Sequence, residues 1–164
     1  MPKYTERRVL PYTPQQLYDL VVDLESYPEF LPWCVGARIR ERHDNIIVAD
    51  LVIGFRMFRE RFTSRVTLTP DAPEGPRIDT AYAEGPFKYL TNRWIFRSHE
   101  KGCEIDFFVD FEFRSAILQK LIGVLFNEAV RRMVAAFEGR ARTLYGPLKS
   151  NRAQAEITES EVLR

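Results

Sequence analysis

The stretch from Ser115 to Tyr145 constrains the fold more than any other. Leu118, Leu121, Leu125, Ala129, Met133, Phe137, Ala141 and Leu144 recur at three- or four-residue steps, the period of one helix face. Ser115 is the expected N-cap, because its hydroxyl can accept from a free first-turn amide. Gly146-Pro147 is the expected stop, since Gly tolerates a left-handed cap and Pro cannot continue the ladder. The first half is greasier than one buried stripe requires. Ile117, Leu118, Leu121, Ile122, Val124, Leu125 and Phe126 cover more than one face, so a large apolar surface must oppose them. That surface is either protein core or a bound ligand.

What precedes this helix is a run of strands. Tyr4–Tyr12 reads as an edge strand, and Pro14–Val22 as a short helix with Leu17, Tyr18, Val21 and Val22 on its apolar face. Asp23–Trp33 is punctuated by proline, and Ser26 is the expected cap of one more helical turn. Strands follow at 35–42, 46–53, 59–69, 77–84, 89–98 and 103–114. A bend at 54–58 carries Phe55, Met57 and Phe58, and a proline-rich loop spans Pro70–Pro76. The first of these strands sets Val35, Ala37 and Ile39 against Arg38, Arg40 and Arg42. The last alternates most cleanly: Cys103, Ile105, Phe107, Val109, Phe111 and Phe113 against a wet face of Glu104, Asp106, Asp110 and Glu112. Strands in a row closed by one long helix define an α+β fold rather than alternating α/β. The expected architecture is a curved antiparallel seven-stranded sheet wrapped around the C-terminal helix, with two short helices after strand 1. A curved sheet cannot press on a straight helix everywhere, so a cavity is expected between them, and such a cavity is the default ligand site. Residues 1–146 form the expected single domain, and the polar, aperiodic 147–164 a disordered tail.

Composition narrows the chemistry. The 164 residues carry a formal net charge of +1, so no global field favours DNA or an anionic membrane. Twelve phenylalanines point to an aromatic-lined interior. No apolar run reaches the ~20 residues of a membrane span. The N-terminal residues carry no apolar signal core, so Cys34 and Cys103 are expected to be reduced thiols of a cytoplasmic protein. His43 and His99 fall in expected turns without metal-ligand spacing, and no nucleotide-binding or nucleophile-elbow motif occurs. The expectation is a binding protein, with no enzymatic activity, no catalytic or metal-binding residues and no cofactor.

Three motifs give the chain a family likeness. Tyr27-Pro28-Glu29-Phe30-Leu31-Pro32-Trp33-Cys34 is the most specific; Gly85-Pro86-Phe87 follows, with Leu90, Trp94 and Phe96 on the next strand. The third is Phe111-Glu112-Phe113 with Ala136-Phe137, Arg140-Ala141 and Leu144-Tyr145-Gly146. Together they resemble the coenzyme Q-binding family of the START/SRPBCC superfamily, the helix-grip fold, a family that also contains the ribosome association toxin RatA. The likeness covers Pro2–Gly146; the tail and the Pro70–Pro76 loop lie outside it. Mitochondrial relatives carry a targeting extension absent here, so a bacterial source or a mature organelle form is expected. The resemblance implies that the chain binds ubiquinone or a related polyprenyl lipid as its ligand, supporting respiration and quinone biosynthesis or delivery. It also implies transient contact with the bacterial inner membrane on its cytoplasmic side or with respiratory and quinone-biosynthesis proteins. The alternative it implies is a toxin that binds the large ribosomal subunit and blocks subunit association.

On this basis Phe30, Leu31, Trp33, Phe87, Leu90, Asn92, Trp94, Phe96, Leu118, Leu121, Leu125 and Ala129 are the expected cavity or mouth residues, against the plainer reading of ordinary core. A quinone head needs one or two hydrogen-bond donors, for which Asn92, Tyr82, Ser64 and Thr80 are candidates. Tyr27–Trp33 is either a rigid connector or a gate whose Phe30, Leu31 and Trp33 touch a bilayer or the ligand tail. The arginines at 38–42, 59–65 and 131–142 read as solvated faces with acidic partners, such as Glu128 with Arg132. Contact with ribosomal RNA or anionic headgroups is the alternative for them.

Overall fold

The computed structural model describes residues 3–55 and 58–146, with only the backbone at 55 and 58. The expected bend with Met57 and the expected tail at 147–164 lie outside the described residues. Ten elements follow in order: β1 (Lys3–Leu10), α1 (Pro14–Val22), a 3-10 turn (Leu24–Glu29), β2 (Cys34–His43), β3 (Ile46–Phe55), β4 (Phe58–Thr69), β5 (Arg77–Glu84), β6 (Phe87–His99), β7 (Gly102–Phe113) and α2 (Ala116–Tyr145). The strands form one antiparallel sheet in the order β1-β7-β6-β5-β4-β3-β2. From β2 to β7 the chain is a meander, and β1 closes onto the free side of β7. The expected α+β helix-grip arrangement is what forms, with β1 at an edge.

Local chemistry sets the element ends. Thr13 and Gln16 form a reciprocal capping box at the start of α1, with Pro14 in the first turn. Ser115 Oγ accepts from Leu118 N at 3.2 Å to start α2. Gly146 ends it at φ 87°, a conformation that glycine adopts without penalty. Two expectations are corrected. Ser26 does not cap the second turn; Asp23 occupies the cap position, and Ser26 Oγ donates to its carboxylate at 2.6 Å. Val35 does not face the core, because bulges between Cys34 and Gly36 and between Ile39 and Glu41 shift the alternation of β2. Cys34 is buried in its place and Val35 is exposed.

The concave face of the sheet packs against α1 and the second half of α2. Leu17, Tyr18, Leu20 and Val21 of α1 meet Trp94, Phe96, Cys103 and Phe107 in one buried cluster. The end of α2 is tied down by polar contacts: Arg8 to Glu138 at 2.7 Å, Tyr145 hydroxyl to the Gln16 carbonyl at 2.8 Å, and Tyr12 hydroxyl to the Gly146 carbonyl at 3.1 Å. Tyr145 packs against the core there, whereas Leu144, expected on the apolar face, is exposed. The convex face bears no second layer among the described residues, yet it is not simply wet. Asp106, expected on the wet face of β7, is 5% exposed and accepts from Arg97 at 3.1 Å. Asp50 is likewise buried and accepts from Thr63 Oγ1 at 2.6 Å, with Arg38 and Arg40 each 3.7 Å away. Long arginine side chains lie over these carboxylates, which strand alternation alone does not reveal.

Candidate functional site

The first half of α2 meets the sheet on its β1–β7 side, where Phe126 packs on Tyr4 and Phe111 and Gln119 Oε1 accepts from Phe113 N at 2.8 Å. Beneath this half of the helix lies a predominantly apolar cavity of about 520 Å³, within the roughly 300–1,000 Å³ usual for small-molecule sites. Its floor is made of short side chains at paired positions on four neighbouring strands. Ala49 of β3 faces Ser64 of β4, and Thr80 of β5 faces Asn92 of β6. Phe62, Phe87, Phe111 and Phe113 form one wall, and Trp94 and Phe107 another. Leu118, Leu121, Ile122, Leu125, Ala129 and Met133 make the roof. Exposed Glu128 and Arg132, with half-buried Glu60, mark the mouth.

The motif before β2 plugs one end. Tyr27 is buried and donates its hydroxyl to the Val21 carbonyl at 2.5 Å, and burial raises its pKa. Leu31, Pro32 and Trp33 then line the cavity. Trp33 sits at φ 67°, in the left-handed region that a bulky residue rarely occupies. Its carbonyl accepts from Gly54 N at 2.8 Å, which ties the plug to the end of β3. Gly85, in the Gly-Pro-Phe turn, has φ 143°, and a Cβ there would lie 2.6 Å from Cβ of Phe62. That close approach explains the glycine and brings Phe87 edge-on to Phe62 at 5.2 Å.

Of the residues expected at the cavity, Leu31, Trp33, Phe87, Leu90, Asn92, Trp94, Leu118, Leu121, Leu125 and Ala129 line it. Phe96 and Phe30 do not. Phe96 has 0% exposure and is stacked on Trp94 beneath Tyr18 of α1. It has the inward parity of the lining residues but sits where α1, not the void, covers the sheet. Phe30 packs against Tyr27 and Phe137, with the Arg140 guanidinium 5.0 Å above its ring. Among the candidate donors, Ser64, Thr80 and Asn92 line the cavity and Tyr82 does not. Asn92 Nδ2 donates to the Phe108 carbonyl at 2.9 Å. Phe62, Phe111, Phe113, Ile122 and Met133 also line the cavity, outside the set of expected cavity residues. The inward parity of Phe111 and Phe113 on β7 and the excess of apolar residues around Ile122 were the signals, and Phe62 shares the parity of Ser64 on β4.

Both cysteines are free and buried. Burial pushes the Cys103 thiol up to about 12, helped by the neighbouring Glu104 charge, and it also raises Cys34. Neither is poised as a nucleophile. No group of three or more His, Cys, Asp or Glu among the described residues could hold a metal ion. His99 Nδ1 accepts from Lys101 N at 3.0 Å in its turn. The arginines behave largely as solvated partners of acids: Arg131 and Arg132 hold Glu128 at 2.7 and 3.0 Å, and these hydrogen bonds lower its pKa. No described helix is long and apolar enough to cross a membrane.

A sheet that grips one long helix over an apolar cavity defines the helix-grip fold. The chain belongs to the polyketide cyclase/dehydrase and lipid transport family, whose model matches residues 10–138. It is 42% identical to the ribosome association toxin RatA of Rickettsia prowazekii over 87% of this chain and 97% of that one. It is 33% identical to the mitochondrial coenzyme Q-binding protein COQ10 homolog B of Xenopus laevis, over 88% of this chain and 59% of that one. Among solved structures it is similar to the 18 kDa protein CC1736 of Caulobacter crescentus. That match has a TM-score of 0.73 and 36% identity, covering 90% of this chain and 100% of the other. These curated relatives are named as a toxin and a coenzyme Q-binding protein rather than as enzymes, while the family description includes cyclases.

Proposed function

We propose that this protein binds ubiquinone or a related polyprenyl lipid in the cavity under α2 and acts as its carrier in support of respiration. The carrying observation is the 520 Å³ cavity, walled by phenylalanine and roofed by leucine. Burying one five-carbon isoprene unit there contributes roughly 4 kcal/mol, at about 0.8 kcal/mol per methylene-sized group. Two or three units therefore anchor a ligand without a dedicated polar motif. The outer side of the same half-helix exposes Ile117 at 73% and Val124 at 80%, a surface suited to brief contact with a bilayer. The working location in this reading is the cytoplasm and the cytoplasmic side of the inner membrane.

The test uses the protein's own reporters. Its two tryptophans, Trp33 and Trp94, both line the cavity, so a bound quinone quenches their fluorescence. Mass spectrometry of an organic extract of the purified protein identifies the native lipid. Leu121→Lys places a charge in the roof and abolishes both signals. An empty protein with no quenching by added quinone rules the reading out.

A second reading follows from the name of the Rickettsia relative, a ribosome association toxin: contact with the ribosome, which the family resemblance places on the large subunit. Exposed Arg131 and Arg132 on α2 supply charge for it. It requires salt-sensitive co-sedimentation with large subunits, lost when both arginines are replaced by Glu.

A further inference from the structure

The floor of the cavity contains a buried hydroxyl that no group among the described residues satisfies. Ser64 is 2% exposed and its Oγ has no hydrogen-bond partner among the described residues, although the residue lines the cavity. Its cross-strand partner Tyr82 also has a buried hydroxyl without such a partner. Thr80 lies on the same face of β5, two residues before Tyr82, and pairs with Asn92. Directly opposed residues on one face stand about 5 Å apart and diagonal ones about 7–8 Å. Ser64, Thr80 and Asn92 thus form one polar spot in a predominantly apolar chamber, with Tyr82 at its edge. A buried hydroxyl without a partner costs about 1–3 kcal/mol, and native structures keep few of them.

We infer that this spot is the head-group subsite, with Ser64 Oγ donating to a ring carbonyl of the ligand. The inference rests on the lipid-binding reading and assigns the ligand's orientation within it. The carbonyl-bearing ring lies on the sheet at Ser64 and Thr80. The isoprenoid tail runs under Leu118 and Leu121 toward the mouth. Asn92 spends one amide N–H on the Phe108 carbonyl, which anchors its side chain in the floor. The subsite therefore selects carbonyl heads over plain hydrocarbon.

Two probes separate this assignment from the reading beneath it: a benzoquinone carrying two isoprene units, and an isoprenoid hydrocarbon of the same tail length. Each is titrated against the full chain and against Ser64→Ala and Thr80→Val. The wild type binds the quinone more tightly than the hydrocarbon. Ser64→Ala weakens the quinone about tenfold, as expected for one lost hydrogen bond, and leaves the hydrocarbon within about twofold. The infrared carbonyl band of the bound quinone moves back toward its free position in that variant. Thr80→Val gives a smaller loss of the same selectivity. Without ligand, Ser64→Ala keeps or raises the urea midpoint, because it removes an unsatisfied hydroxyl. Equal quinone affinity in Ser64→Ala and wild type, equal loss of both probes, or a lowered midpoint in that variant overturns the subsite and leaves the cavity reading standing. Failure of the wild type to bind either probe overturns the cavity reading and the subsite with it.

Discussion

The two halves of α2 must respond differently to truncation if one holds and the other spans a void. Phe137 makes edge-to-face contacts with Tyr27, Phe30 and Trp94 at centroid distances of 5.4, 5.4 and 5.0 Å. Each such pair is worth about 0.5–1.5 kcal/mol beyond area burial, so Phe137→Ala should cost about 3 kcal/mol or more. Leu125, three turns earlier, is half-buried and faces the cavity. Its truncation removes three carbons, about half of whose surface counts, for a cost of about 1 kcal/mol. A well-packed Leu→Ala would instead cost about 3–5 kcal/mol, because a new void adds to the transfer term. Here the void already exists. Urea unfolding of the ligand-free protein, read as a midpoint shift at constant slope, measures both. Equal costs for the two substitutions, or a Leu125→Ala cost near 4 kcal/mol, would refute the division of the helix.

Other consequences are equally concrete. The Cys103 thiol keeps its proton in the native state up to about 12, whereas in the unfolded chain it ionises near 9.0. Its contribution is complete below pH 9, and it is lost by about 1.4 kcal/mol per unit as pH rises toward 12. Wild type should therefore lose stability faster than Cys103→Ala between pH 9 and 11, by urea midpoints, and parallel losses would contradict this. Gly85→Ala should cost about 3 kcal/mol and lower the thermal midpoint, since the new Cβ meets the Phe62 backbone and a positive φ opposes it. Asp106→Ala should destabilise by about 2 kcal/mol by removing the charge-assisted bond from Arg97 Nη2, which leaves Arg97 with Glu74 alone, and added salt should change that deficit little because the carboxylate is buried.

The plug motif shows how legible the site was. Its two prolines and the aromatics around them marked a rigid segment, and the structure seats Leu31, Pro32 and Trp33 at the cavity. Phe30 and Phe96 had the same apolar character and went elsewhere, one against Phe137 and one under Tyr18. Asp106 read as solvated by its strand parity, and became buried because Arg97, adjacent on the neighbouring strand, covers it. Parity reports which side of a sheet a residue faces. It does not report what lies on that side at that distance along the strand.

The sequence by itself determined the two α-helices, the Ser115 cap and Gly146 stop of α2, the alternation of β4 and β7 and the order that makes a sheet grip a helix. These depend on periodicity and capping, which act within a few residues. The sequence also marked the first half of Ser115–Tyr145 as facing a ligand or a bilayer and the second as holding; only the tertiary structure decided where each half docks. The second half is pinned by Arg8, Gln16 and Tyr27, while the first half roofs a void. That void exists because Ala49, Ser64 and Thr80, far apart in the chain, place short side chains side by side where the sheet curves away from a straight helix.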